Sequence, residues 1–235
     1  LGAIYGSVVP LRIEGAYDQA KQALEQARTL DPQNPARILS LARLEFANGN
    51  QAGARTFVTE AIQKKNDYID AIFFLAQLDI AAGNVDGAIA ATQATIVLDP
   101  QNPVRYFQLG VLEISRDKAT EGARAFEEAV RLNPFYANAR YYLAFAYDRL
   151  NRKEEAISQL REILKTNEGN ELVLGLIKQL ETGASIASPT PQNEIEPPVT
   201  EKQNQRTSET VTPEDPDSPL LTPVNTVPET ADTGV

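Results

Sequence analysis

A period of 34 residues constrains this chain more than any other feature. Small residues recur at Ala20, Ala54, Ala88, Gly122 and Ala156. A second series, Leu24, Val58, Thr92, Phe126 and Leu160, follows four residues later, and a third, Ala27, Ala61, Thr95, Ala129 and Ile163, three residues after that. Offsets of four and three place all three positions on one helical face. Upstream in each unit, Leu41-Ala42, Leu75-Ala76, Leu109-Gly110 and Leu143-Ala144 keep the same spacing and mark the matching close contact on a preceding helix. Self-similarity at such a period marks stacked units, none of which can bury its apolar face alone. Each unit is therefore predicted to be two helices in contact.

The turns agree with this division. Gly15, Gly49 and Gly83 fall where the first helices end, and Asp117 and Asn151 hold the same place in the later units. A left-handed residue is expected there, which glycine adopts most cheaply and Asn or Asp tolerate. Pro32, Pro100 and Pro134 close the second helices, with Asn66 and Glu168 in the equivalent places of the other two units.

The unit containing Tyr106, Leu109, Gly110, Phe126, Ala129 and Pro134 resembles the tetratricopeptide repeat family, whose pattern places an aromatic, Leu-Gly, Tyr, Ala, Phe, Ala and Pro at fixed intervals. The resemblance runs from residue 1 to about 170. It implies an all-α, right-handed α-solenoid of about five helix-turn-helix units, near 1–34, 35–68, 69–102, 103–136 and 137–170. A capping helix over 171–182 is expected next, because Leu172, Val173, Leu176, Ile177 and Leu180 form an apolar stripe opposite Glu171, Lys178, Gln179 and Glu181. At the other end, Leu1-Gly2-x-x-Tyr5 matches the middle of a first helix, but six residues are inserted around Pro10, giving an elongated turn from about Pro10 to Gly15. The chain thus opens inside a unit, and further repeats or another domain are expected upstream.

Composition separates a folded part from a tail. Residues 183–235 contain no Phe, Tyr or Trp, and hold Pro189, Pro191, Pro197, Pro198, Pro213, Pro216, Pro219, Pro223 and Pro228. Such a stretch cannot bury enough apolar surface to offset its ordering entropy, so a disordered acidic tail is predicted from Gly183 onward. Of the formal charge of −10, the tail carries −7. The array is left nearly balanced and offers no basic stripe for phosphates, which argues against nucleic acid and anionic membrane as partners. The chain has no Cys and no His. That removes the usual zinc, haem and iron–sulfur ligands and the Ser-His and Cys-His nucleophile pairs, so no cofactor and no catalysis are expected. The adjacent acids Glu127-Glu128 and Glu154-Glu155 point about 100° apart on second helices, which suits a solvated charged face. No run of 18 apolar residues occurs. The count of cysteines leaves cytoplasm and bacterial envelope equally open.

A candidate binding surface comes from a further stripe on each first helix at i, i+4, i+7. It comprises Leu39-Arg43-Phe46, Phe73-Gln77-Ile80, Phe107-Val111-Ile114 and Tyr141-Phe145-Asp148. In the family that the chain resembles, this stripe lines the concave groove. The resemblance then implies a ladder of Leu39, Phe73, Phe107 and Tyr141, one large rung per unit, suited to a peptide or partner protein that inserts apolar side chains. The competing reading is that these residues are core, above all Phe46, Ile80 and Ile114, since apolar residues at helical spacing usually pack inside. Some family members use a Lys, Asn and Arg clamp for acidic carboxyl termini. Here those places hold Leu39, Arg43, Ser40, Asp70 and Phe74, so that ligand class is not expected.

A second resemblance concerns Leu1-Gly2-x-x-Tyr5, Pro10, Gly15-Ala16 and Leu30-Asp31-Pro32, which are similar to the repeat-bearing tails of bacterial envelope proteins related to O-antigen polymerases. It implies an alternative in which the chain is the accessory region of a membrane-embedded glycan polymerase or transferase, anchored by spans upstream of Leu1. Ser188-Pro189, Thr212-Pro213, Ser218-Pro219 and Thr222-Pro223 fit a soluble, extended linker.

Overall fold

The computed structural model describes residues 15–189. Among them the chain forms α-helices and no strand: α1 (Ala16–Leu30), α2 (Pro35–Ala47), α3 (Gln51–Lys64), α4 (Ile69–Ala81), α5 (Val85–Leu98), α6 (Pro103–Ser115), α7 (Ala119–Leu132), α8 (Ala137–Arg149), α9 (Lys153–Leu164) and α10 (Glu171–Glu181). Each helix packs against the next in chain order. The pairs α2–α3, α4–α5, α6–α7 and α8–α9 fill the four units expected between residues 35 and 170. The helix α1 is the second helix of the first unit. The first helix expected for that unit and most of the elongated turn expected from Pro10 to Gly15 fall outside the described residues.

The local sequence explains where each helix starts and stops. Asn34, Asn50, Asn84, Asn102 and Asn170 accept a backbone N–H of the first turn of α2, α3, α5, α6 and α10 through their side chains. Pro35 and Pro103 stand at the first helical position, where their missing N–H costs nothing. Gly49 and Gly83 have φ of 83° and 72°, and Asp117 and Asn151, at 60° and 59°, adopt the same left-handed conformation, as the spacing predicts. The N–H that follows each turn reaches back to a first-helix carbonyl, with Asn50 to Glu45 and Asn84 to Asp79 both at 2.8 Å. This closes the helix ends by the six-residue bond of a Schellman turn.

The three repeating series form the seam between paired helices. Ala54, Val58 and Ala61 are fully buried in α3, and so are Phe126 and Ala129 in α7. Thr92, buried in α5, satisfies its hydroxyl by donating to the Ala88 carbonyl at 2.8 Å. Size is matched across the seam. Ala42, Ala76 and Ala144 stand in register with Val58, Thr92 and Leu160, whereas Gly110 stands opposite Phe126. A Cβ on Gly110 would lie 2.4 Å from Cε1 of that ring. Burying a side chain of this size contributes about 1.5–3 kcal/mol, so Gly110 is the complement that Phe126 requires.

The capping helix is α10, with Val173, Leu176, Ile177 and Leu180 buried against the last pair. Leu172 departs from the expected stripe and stands outside, 37% exposed. Gly183 is where composition places the start of the tail. Residues 183–189 continue the described structure, and Ile186 joins the core of the last pair at 5% exposure. Among the described residues no helix is long and apolar enough to cross a membrane.

Candidate functional site

The first helices α2, α4, α6 and α8 carry the twelve stripe residues, and burial divides them. Arg43 is exposed, while Phe46, Phe73, Gln77, Ile80, Phe107, Val111 and Ile114 are half-buried. Leu39, Tyr141, Phe145 and Asp148 are buried, with Tyr141 only 1% exposed. Leu39 and Tyr141 are therefore core residues and not rungs open to a ligand. Leu39 packs with Ile38, Ala42 and Phe74, and Tyr141 lies against Tyr142 with ring centroids 6.0 Å apart. Burial also pushes the Tyr141 hydroxyl above its ordinary pKa.

The remaining rungs are partly engaged. Phe73 lies beneath the Arg105 guanidinium, 4.1 Å from its ring centroid, a cation–π contact between successive units. Phe107 stands in an aromatic cluster with Tyr142 at 5.1 Å, Tyr136 at 5.2 Å and Phe126 at 5.8 Å. Phe46 meets Phe74 edge-on at 5.8 Å, and Ile114 packs over Gly122. Ile80 packs against Ala88, Ile89 and Leu112, so at the i+7 position of these three units packing between helices is the main role. The stripe is most open at Arg43, while Gln77 and Val111 keep part of their surface, Val111 with its other side packed against the core around Tyr142.

Beside the stripe runs a polar ladder that the sequence reading overlooks. Glu45, Asp79 and Glu113 recur at intervals of 34 and are all buried. Glu45 accepts from Lys21 and Tyr17, each at 2.9 Å, and from Asn50 at 2.7 Å. Asp79 accepts from Arg55 at 2.6 Å and Asn84 at 3.0 Å. A cation from the preceding second helix and the N-cap Asn of its own unit thus hold each carboxylate. The Lys21 hydrogen bond, ahead of those from Tyr17 and Asn50, keeps the Glu45 carboxyl below its ordinary pKa against the opposing effect of burial. In the next unit Ile89 and Lys118 occupy the two donor places, and Glu113 Oε2 is buried without a hydrogen-bond partner among the described residues. The fourth place is Tyr147, whose hydroxyl donates to Glu127 at 2.9 Å. Burial first, then Glu127, pushes this tyrosine up to about 12. The signal for the ladder was available as a second 34-residue series, but carboxylates on a helix suggest a solvated face unless their cations are sought 24 residues upstream.

The last unit holds the most specific arrangement. After α10 the chain turns at Gly183, with φ of 84°, and comes back against α8. The backbone N–H of Ile186 donates to Asp148 Oδ2 at 2.9 Å in a buried contact. Lys153, at the start of α9, donates to the carbonyls of Gly183 at 2.9 Å and Ala184 at 3.0 Å, and to Asp148 Oδ1 at 3.2 Å. Gln179 donates to the Ser185 carbonyl at 2.7 Å. Ile186 stands 34 residues after Arg152, the N-cap of α9, so this non-helical segment takes the place where a following second helix would begin. Four polar contacts to side chains, the backbone bonds from the Gly183 N–H to Leu180 and from the Ala184 N–H to Gln179, and one buried aliphatic side chain hold it. The side chain contributes about 1.5–3 kcal/mol, on the order of the entropy lost by fixing one or two residues.

The acidic pairs behave as a charged face. Glu127 meets Tyr147, Glu128 meets Arg131 at 2.7 Å, and Glu155 meets Arg152 at 2.7 Å. Among the described residues no three potential ligand side chains gather at a point that would hold a metal ion.

A family model for the tetratricopeptide repeat matches residues 11–60, 46–109 and 114–180, together more than half of the chain. Among solved structures the chain is similar to MamA, at 21% identity and TM-score 0.59, with 66% of this chain and 90% of that one covered. It is similar to MamA 41-end from Desulfovibrio magneticus RS-1, at 15% identity and TM-score 0.57 over 67% and 89% of the two chains. YrrB, described as a TPR protein with an unusual peptide-binding site, aligns at 17% identity and TM-score 0.57 over 69% and 84%. At these identities the likeness concerns the fold. No curated protein sequence matches the chain. Helix pairing, turn geometry and the three matched segments agree, and the chain belongs to the tetratricopeptide repeat family.

Proposed function

We propose that the array is a protein-interaction scaffold, without a reaction of its own, that receives a peptide or partner protein along the stripe of its first helices. The observation that carries this reading is Asp148. It stands at the i+7 position of the stripe, and its carboxylate already holds the backbone N–H of a non-helical polypeptide segment. One turn before that place, the i+4 position of the earlier units presents Arg43, Gln77 and Val111 with solvent-accessible surface. YrrB, a protein of the same fold, is described as having a peptide-binding site. An apolar and polar mixture of this kind suits a peptide docked through a few side chains and its own backbone.

The burial pattern decides how the reading is tested. Truncating Phe107 or Tyr141 would open the core and cost about 3–5 kcal/mol, so loss of binding there would report unfolding. Arg43→Glu and Gln77→Lys change the open surface while leaving the packed rungs intact. Capture of a partner from the source cell's extract should fall with either substitution and persist with Thr56→Lys, on the exposed side of α3. Undiminished capture by both stripe variants would remove the first-helix face as the binding surface.

A further inference from the structure

We propose that the Asp148–Lys153 corner of the last unit is an exchangeable peptide subsite, and that Gly183–Ile186 is its intramolecular occupant. This rests on the reading of the first-helix stripe as the receiving surface, and it adds the chemistry of what is received there. Asp148 provides an acceptor for one backbone N–H, and Lys153 provides donors for two successive carbonyls upstream of it. Between them lies an apolar site that takes an aliphatic side chain, filled here by Ile186 at 5% exposure. The ligand class that fits is a non-helical segment with small residues followed by an aliphatic one, as in Gly183-Ala184-Ser185-Ile186. Small residues at the first three positions let the backbone approach Lys153 and Gln179 closely.

Three features point to an occupant in exchange and not a fixed cap. The segment departs from the repeat after Ala184: the Ala184 amide bonds the Gln179 carbonyl of α10, as the N-cap amides of α3, α5, α7 and α9 bond first-helix carbonyls, but within the described residues no helix follows it, and the Ile186 amide bonds a side chain of α8 instead. The residues around Ile186 are exposed, with Ala184, Ser185, Ala187 and Ser188 all outside the core. The capping helix α10 already buries the end of the array through Val173, Leu176, Ile177 and Leu180, so covering the terminal pair does not require the segment. A ligand in trans competes with the tethered one, and its apparent affinity falls by the fraction of molecules whose site is closed.

The test uses the full chain and a fluorescein-labelled synthetic peptide of residues 181–189, read by fluorescence anisotropy. Ile186→Asp should release the tethered segment, and the variant should bind the peptide at least about tenfold more tightly than the unaltered chain does. Adding Asp148→Ala to that variant should abolish saturable binding, and so should an Ile-to-Asp change at the same place in the peptide. An Ile186→Asp chain that keeps its helical circular dichroism and binds no better than the unaltered chain would overturn the proposal. If that variant fails to fold, amide hydrogen exchange of the unaltered chain decides. The Ile186 amide should exchange well ahead of the amides in the middle of α8, and exchange as slow as theirs would overturn the proposal. Failure here is distinguishable from failure of the wider reading, because Gln77→Lys lies in another unit and leaves this corner intact. Capture lost with Gln77→Lys alongside no gain in peptide binding would remove this subsite alone.

Discussion

Replacing Gly110 by Ala sets two physical effects against each other. In the middle of α6, helix propensity favours Ala over Gly by about 1 kcal/mol. The added Cβ, however, would lie 2.4, 2.6 and 2.7 Å from three carbons of the Phe126 ring, where ordinary contact begins near 3.4 Å. That ring has no exposed surface and is flanked by Phe107 at 5.8 Å and Tyr142 at 5.6 Å, so it cannot withdraw without displacing a second aromatic. Overpacking costs about 1–3 kcal/mol, occasionally more, and three contacts this far inside ordinary separation, against a ring that cannot withdraw, put it at the upper end, about 2–3 kcal/mol, so the steric effect wins. Gly110→Ala is therefore expected to destabilise by about 1–2 kcal/mol, lowering Tm by roughly 2–8 °C for an array of this size. Far-ultraviolet circular dichroism during thermal unfolding, paired with a urea titration, measures it. The double variant Gly110→Ala with Phe126→Leu recreates the Ala144–Leu160 pairing of the next unit, so Ala should be favourable in the Leu background, a coupling of about 1–3 kcal/mol. A Gly110→Ala chain as stable as the original, or more so, would refute the size matching across the α6–α7 seam.

Two further outcomes follow from the polar ladder. Gly53→Ala should destabilise although Ala is the better helix former, because its Cβ would lie 2.5 Å from Asn50 Nδ2 and drive that side chain off both the helix cap and Glu45. In an Asn50→Ala background the same change should stabilise by about 1 kcal/mol, as helix propensity alone requires. Urea titration of the four variants reads the reversal. The second outcome is a pH dependence. The Glu45 carboxyl is held below its unfolded pKa, so its contribution is present above about 4.5 and lost as pH falls from there through the folded value. Glu45→Gln should flatten that part of the acid limb in stability measured against pH, and an unchanged limb would show that the Lys21 bond has no energetic weight.

The fold was legible because burial and repeat coincide. Ala54, Val58 and Ala61 recur as one face, and the same face reappears with Phe126 and Ala129. Even the left-handed turns at Asp117 and Asn151 follow from register, since those places hold Gly in earlier units. The stripe was legible as a position and not as a surface. Spacing at i, i+4, i+7 cannot separate Tyr141, sealed in the core, from Gln77, which keeps solvent-accessible area, because that difference depends on what packs across from each. The polar ladder carried a periodic signal of its own, whereas Ile186 carried none. A single aliphatic residue among Gly, Ala and Ser has the composition of a linker, and only the acceptor on α8 gives it a place.

The central claim is that partners dock on the first-helix stripe, and a binding isotherm along and off that stripe tests it most directly. Isothermal titration of the captured partner against the unaltered chain, Gln77→Lys and Thr56→Lys gives the comparison, with circular dichroism confirming equal helicity. The account predicts a loss of about tenfold or more in affinity for Gln77→Lys, equivalent to about 1.4 kcal/mol, and no change for Thr56→Lys. Equal affinities for Gln77→Lys and the unaltered chain, or a loss confined to Thr56→Lys, would contradict it.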